Sequence, residues 1–207
     1  STDRTLDMLA EVPQVEVLQR PFDSHAQQWN FGLDQIHSGW VLSLDADYQV
    51  TEDLREEMAQ VIQCAPQQAG FSIPFRYCIA GRPLRGTVLP PRIALFQSQA
   101  GRYVDDGHTQ DLRLRGPCGQ LQHSLLHDDR KPLNRWLWAQ ERYLKLEVMK
   151  LRNTPPARLS FPDRVRRRKV IAPFLVVVVC LIARGGFLDG WRGWFYAFQR
   201  CYVELLL

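Results

Sequence analysis

Nowhere in the chain do two cysteines stand as C-x-x-C, and the five present, Cys64, Cys78, Cys118, Cys180 and Cys201, are odd in number and widely spaced. That pattern argues against a disulfide framework or a zinc ribbon and for a reducing compartment. Also missing is any apolar run of the roughly 20 residues that a helix needs to cross a bilayer. The longest run, VIAPFLVVVVCLIA at 170 to 183, falls short of that length. No secretory signal peptide opens the chain, which starts Ser1-Thr2-Asp3-Arg4-Thr5 without a methionine, and a segment upstream is expected. No internal repeat or low-complexity tract is present. A strong excess of one charge is lacking too, since 26 Lys and Arg against 22 Asp and Glu leave +4. The basic residues gather at Arg164, Arg166, Arg167, Arg168 and Lys169, just before the apolar run. No aromatic platform or recognition motif accompanies them, so they read as contact with an anionic membrane surface and not as a nucleic-acid site.

At 207 residues the chain can hold one sizeable domain and some extra elements. Residues 3 to 11 read as a short amphipathic helix, and Val15-Glu16-Val17-Leu18 alternates like a strand. From Ser24 to His37, Trp29, Phe31, Leu33 and Ile36 fall near helical spacing, and Gly39 ends that helix before the strand Trp40 to Leu44. Helix, strand, helix, strand predicts a parallel sheet with crossover helices. A helix from Thr51 to Cys64 follows, then strands at Phe71 to Tyr77, Arg92 to Phe96, Asp111 to Leu114 and Leu121 to Leu126, so the second half reads as a mixed sheet. Pro132 to Asn153 fits a long amphipathic helix that closes the domain.

Residues 1–153 therefore read as one α/β domain, 154–169 as a basic linker and 170–207 as apolar helices. Those last helices, flanked by arginines and aromatics, read as a membrane-surface or re-entrant hairpin. The alternative is a hairpin packed on the globular domain or on a partner chain.

The stretch LSLDADYQV at 42 to 50 ends an apolar strand in two carboxylates, Asp45 and Asp47. Like charges so close repel unless a cation lies between them, and Mg2+ or Mn2+ bridging to a substrate phosphate fits that need. At the carboxyl edge of an open sheet a nucleotide-linked phosphate is the expected partner. The plain alternative is a loop that caps the next helix.

Two further clusters carry chemistry. Asp105-Asp106-Gly107-His108 offers acids beside a glycine that admits close backbone approach, with a polar turn between strands as the alternative. In His127-Asp128-Asp129-Arg130-Lys131, Arg130 and Lys131 can contact a diphosphate and His127 can complete a metal shell; a self-paired start to the next helix is the alternative. A two-histidine zinc site at His123 and His127 is disfavoured. Arg82, Arg85 and Arg92 either receive an anionic acceptor or are exposed charges at strand ends.

The stretches STDRT, QQWNFGL and SGWVLSLDADYQVT have the order and spacing of glycosyltransferase family 2, which the chain resembles over nearly its whole length. RPLRGTVLPPRIALFQ, GRYVDDGHTQDL, HDDRKPLNRWLWAQERYLKLE and GFLDGWRGWFYAFQRCYVELL resemble the bacterial lipopolysaccharide-core glucosyltransferases of that family. The resemblance implies a GT-A-like, Rossmann-like nucleotide-sugar domain with a mixed sheet, followed by C-terminal amphipathic, membrane-associated helices. The chain starts inside the family's D-x-x-S-x-D-x-T motif, so the first strand and its aspartate are absent, and Gln28-Trp29-Asn30 replaces the usual Arg before Asn.

The same resemblance implies an inverting glycosyltransferase that moves a hexose, with UDP-glucose as the expected donor, to a lipid-linked saccharide such as lipopolysaccharide core. It places the protein at the cytoplasmic face of the bacterial inner membrane. Asp106 is implied as the catalytic base. Asp3, Asn30, Asp45 and Arg130 are implied to hold the donor, and Asp45, Asp47 and His127 a divalent metal. The same fold with a polysaccharide, polyprenyl or protein acceptor, or a non-catalytic membrane-associated remnant, are the competing expectations.

Overall fold

The computed structural model describes residues 4–37, 39–64, 67–106, 109–168 and 170–207, with Asp106 and Thr109 described in their backbone alone. Helix α1 (Thr5–Ala10) is short and buries no side chain. The strand expected at Val15 to Leu18 does not form, and Val15, Val17 and Leu18 all face solvent. Alternation alone makes no strand where neither face has a sheet or a core to meet.

Helix α2 (His25–Leu33) starts where Ser24 accepts the Gln27 N–H at 3.3 Å, satisfying one of the free donors of the first turn. Strand β1 (Trp40–Leu42) and the two-residue β2 (Tyr48–Gln49) flank the Asp45-Ala46-Asp47 turn. Helix α3 (Glu52–Cys64) begins with Thr51 Oγ1 accepting the Leu54 N–H and carries Glu52 and Asp53 in its first turn, where the helix dipole favours them.

The chain then runs through β3 (Gly70–Ile73), β4 (Phe75–Ile79), β5 (Arg82–Pro83), β6 (Arg92–Gln97), β7 (Gly101–Asp106), β8 (Thr109–Leu114), β9 (Cys118–Gln120) and β10 (Leu125–His127). They form two four-stranded sheets, β1-β6-β3-β9 and β2-β10-β4-β5, and the hairpin β7-β8.

The all-parallel pattern expected for the first strands is corrected by the pairing. The α3 crossover does bring β3 back parallel to β1, but β6 lies between them and is antiparallel to both. Nor are 71–77 and 121–126 single strands. Pro74 has no N–H for the ladder, and the chain changes sheets there, with β3 in one and β4 in the other. The segment 118 to 127 does the same alongside it, β9 parallel to β3 and β10 parallel to β4, with the Pro74 carbonyl accepting the Leu125 N–H at 2.9 Å. The architecture is mixed α/β and GT-A-like.

One core lies between α3 and the sheets, where Leu54, Ile73 and Leu125 are fully buried beside Phe71, Phe75 and Leu95. Each such side chain contributes about 1.5–3 kcal/mol by leaving water. A second core packs α2 on the β7-β8 hairpin through Ala26, Leu33, Phe96, Tyr103 and Leu112.

Helix α4 (Leu133–Asn153) is followed by a 3-10 turn at Pro156–Arg158, α5 (Phe161–Arg166), α6 (Ile171–Val178), a π-helical turn at Val179–Ala183 and α7 (Trp191–Leu206). The α6-α7 hairpin packs on the domain, with Cys180, Leu181, Tyr196 and Ala197 closing over Leu84, Tyr77, Ile79 and Val88. The approach needs glycine: a Cβ on Gly86 would lie 2.6 Å from the Cys180 carbonyl oxygen and from Gly186 Cα. Arg166, read from sequence as part of a basic surface run, is instead the hub of an ion network. It donates to Glu204 at 3.1 Å and Asp163 at 3.2 Å and lies 3.6 Å from Glu147, tying α5 to α7 and α4. The outer faces of α6 and α7 still expose Phe174, Val178, Trp191, Trp194, Phe198 and Leu205.

Candidate active site

β10 is the middle of three strands, antiparallel to β2 and parallel to β4, so His127 faces Tyr48 on one side and Tyr77 on the other. Both rings pack edge-on against the imidazole with centroids 5.1 Å away. That leaves the imidazole little freedom to turn. Its Nε2 points to Asp47 Oδ2 at 3.2 Å, while the Asp47 carbonyl accepts the Asp128 N–H and ties the two turns together.

Asp129 joins this pair. The ligand atoms of Asp47, His127 and Asp129 all lie within 4.8 Å of one another. Lys131 Nζ bridges the two carboxylates, 3.2 Å from Asp129 and 3.6 Å from Asp47. The hydrogen bond from His127 holds the Asp47 carboxyl below the usual aspartate range against the opposing pull of burial, with help from the Lys131 charge. Burial would lower Lys131, but Asp129 and Asp47 outweigh it and hold the ammonium above its ordinary value. Two carboxylates and one imidazole would suit an oxygen-preferring divalent cation such as Mn2+ or Mg2+.

These groups lie in the wall of a cavity of about 680 Å³ that is also lined by Trp136, Gln140 and Tyr143 of α4 and Gln199, Arg200 and Val203 of α7. A second chamber of about 430 Å³ adjoins it, lined by Trp29, Ser43, Tyr103 and Asp111. Asp45, Tyr48, Arg92 and Gln110 line both. Asp45 thus stands at the junction of the chambers and outside the Asp47-His127-Asp129 group. Burial, then the neighbouring Asp45 charge, raise the Tyr48 phenol well above its usual value, so it stays a neutral hydrogen-bonding group. Tyr103, 2.5 Å from Ser43 Oγ, is pushed up to about 12 by burial.

Most of the other candidate residues have partners of their own. Asn30 uses both ends of its amide on β7, donating to the Tyr103 carbonyl and accepting the Tyr103 N–H at 2.9 Å each. Arg130 pairs with the buried Asp128 at 2.6 Å, and both Arg130 and Lys131 line a groove that also includes Asp47. Asp105 caps α2, accepting from Ser24 Oγ at 3.0 Å and from the Ala26 N–H at 3.1 Å. Asp3, His108 and the Asp106 side chain lie outside the described residues. The Asp106 backbone ends β7 opposite Thr109, one register step from Gln110. Arg92 reaches the cavity, whereas Arg85 lies in the loop docked on the α6-α7 hairpin, where its N–H donates to Asp189 at 2.7 Å.

Sequence reasoning did not single out Asp129 as a ligand, nor the Tyr48 and Tyr77 walls or the α7 side of the cavity. The tyrosines follow from strand register and the α7 residues from how the hairpin docks, neither of which a linear pattern displays.

The model of the family described as Glycosyl transferase family 2 matches residues 1–111. Among curated proteins none matches the chain. The matched segment carries α2, β1, the Asp45-Ala46-Asp47 turn and the strands through β7, more than half of the 207 residues, and the chain therefore belongs to glycosyl transferase family 2.

Proposed function

We propose that this family member is an inverting, metal-dependent hexosyltransferase. It moves glucose from UDP-glucose to a lipid-linked saccharide, such as lipopolysaccharide core, at the cytoplasmic face of the bacterial inner membrane. The observation that carries this reading is the Asp47-His127-Asp129 group in the wall of a cavity large enough for a nucleotide-sugar and part of an acceptor.

In the reaction an acceptor hydroxyl oxygen attacks the anomeric carbon, the bond from that carbon to the diphosphate oxygen breaks, and the configuration inverts. Asp106 takes the hydroxyl proton; the support is that its backbone ends β7 in the hairpin whose Gln110 and Asp111 line the smaller chamber. A Mn2+ or Mg2+ ion held by Asp47, His127 and Asp129 supplies, when bound, Lewis-acid stabilisation of the departing diphosphate. Lys131 and Arg130 add fixed positive charge beside the leaving group, and Asp45 orients the donor at the junction of the chambers. Trp136 and Tyr143 offer the flat apolar faces on which sugar rings stack.

Among the described residues no helix is long and apolar enough to cross a membrane. The reading therefore seats the protein on the bilayer surface through the exposed apolar faces of α6 and α7, with Arg164, Arg167 and Arg168 at anionic headgroups.

Calorimetric titration of UDP and UDP-glucose, with and without Mn2+, tests the reading. Saturable binding that needs Mn2+ and disappears in Asp47→Ala is expected. Binding that ignores both the metal and the substitution, or none at all, overturns it.

A further inference from the structure

A trough of about 690 Å³ runs between α4 and α7, lined by Leu137, Leu144, Val148, Met149, Tyr202 and Leu206. Leu144 and Gln140 also line the catalytic cavity, so the trough and the cavity share a wall. At their junction the rings of Trp136, in the cavity, and Tyr202, in the trough, pack with centroids 6.3 Å apart. At its other border the trough meets the exposed stripe of α7, where Trp191, Trp194, Phe195, Phe198, Tyr202 and Leu205 recur every three or four residues on one helix face. Tyr202 belongs to both.

We infer that this trough holds one hydrocarbon tail of the lipid-linked acceptor while its saccharide lies over Trp136 in the cavity. The inference rests on the function proposed above and adds the place and the chemistry of the tail. Three observations favour that occupant. Six of the ten lining residues are aliphatic or aromatic, and Gln140, Glu141, Lys145 and Arg152 are the polar members, which suits a tail below a charged headgroup zone. From Leu137 to Met149 the α4 wall extends roughly 18 Å at the rise of an α-helix, room for an extended alkyl chain. The trough also borders the apolar α7 stripe at Tyr202 and shares the Gln140-Leu144 wall with the cavity that holds the reacting groups.

The test is calorimetric titration of the full chain with n-dodecyl maltoside below its micellar concentration, with maltose as the tail-free control. One saturable site for dodecyl maltoside and none for maltose is expected. Leu137→Glu and Met149→Glu, at opposite ends of the trough, each weaken it tenfold or more, and Phe174→Glu on the outer face of α6 leaves it unchanged. Leu137 and Met149 are 41% and 59% exposed, so both variants keep the fold, which circular dichroism checks. Absence of a saturable site, or equal weakening by Phe174→Glu, overturns the inference in favour of general apolar adsorption. A wild-type dimer by sedimentation that Met149→Glu converts to monomer overturns it in favour of a second copy. The UDP titration reads the donor end separately. A chain that binds UDP but not dodecyl maltoside refutes the trough alone, and the reverse result keeps the trough and refutes the transferase reading.

Discussion

His127 Nε2 lies 3.2 Å from Asp47 Oδ2, although the two residues are 80 positions apart in the chain. The antiparallel register of β2 and β10 sets His127 opposite Tyr48, and that register carries Asp47 and Asp129 to the same edge of the sheet. A shift of one residue would turn His127 to the other face and dissolve the group.

The donor geometry separates the three aspartates by role. Asp129→Asn is expected to weaken Mn2+ binding tenfold or more, because it removes a charged oxygen from the group, whereas Asp45→Asn changes Mn2+ affinity little and weakens UDP. Paramagnetic resonance of free Mn2+ reads the first effect and calorimetry the second. Equal losses of Mn2+ affinity in the two variants would refute this division.

Asn30 holds the Tyr103 N–H and carbonyl together, and Tyr103 is buried in the core that joins α2 to the β7-β8 hairpin. Asn30→Ala leaves both backbone groups unpartnered and is expected to cost about 1–3 kcal/mol in urea unfolding. UDP affinity of the folded fraction stays unchanged. A stable variant that has lost UDP would instead assign Asn30 to the donor.

The carboxylate of Glu57 accepts N–H groups from Gln122 at 2.7 Å and His123 at 2.9 Å and faces the His123 imidazole at 2.9 Å, pinning the turn before β10 to α3. Burial opposes the charged form, but these donors outweigh it and hold Glu57 below its usual value of 4.5. A carboxyl lowered in the folded state contributes stability that is fully present above the unfolded value and is lost as pH falls through the folded one. Wild type therefore loses stability below about pH 4.5 with a slope that Glu57→Gln reduces. Urea midpoints across that range measure the difference, and parallel curves for the two proteins would contradict it.

Arg166 sits among Glu147, Asp163 and Glu204, with side chains only 12%, 8% and 6% exposed. Arg166→Met removes the cation these carboxylates share, with Lys150 still 3.8 Å from Asp163 and Arg200 3.8 Å from Glu204, and a loss of about 3–5 kcal/mol is expected from breaking a buried ionic network on one side. Because the network ties α7 to α4 and α5, the substitution also loosens the trough, seen as faster hydrogen exchange in α7. Retention of wild-type stability would show that water or Lys150 and Arg200 replace the guanidinium.

Local chemistry already marks much of this protein in its sequence. Ser24 and Thr51 announce the starts of α2 and α3, the periodicity of 132 to 153 announces α4, and the two aspartates after an apolar strand announce the carboxylates that line the cavity. Each of these depends on residues a few positions apart, where spacing translates directly into geometry. Long-range pairing decided the rest. Insertion of β6 between β1 and β3, the change of sheet at Pro74 and the register that sets His127 between Tyr48 and Tyr77 depend on strands distant in the chain. No periodicity encodes their partner. Arg166 shows the same division: in sequence it is one of a row of cations, and only the docking of α7 brings Glu204 to it. An amino-acid pattern determines what a segment offers to a neighbour, and tertiary structure decides which neighbour takes it, because packing and charge pairing are properties of the folded contact.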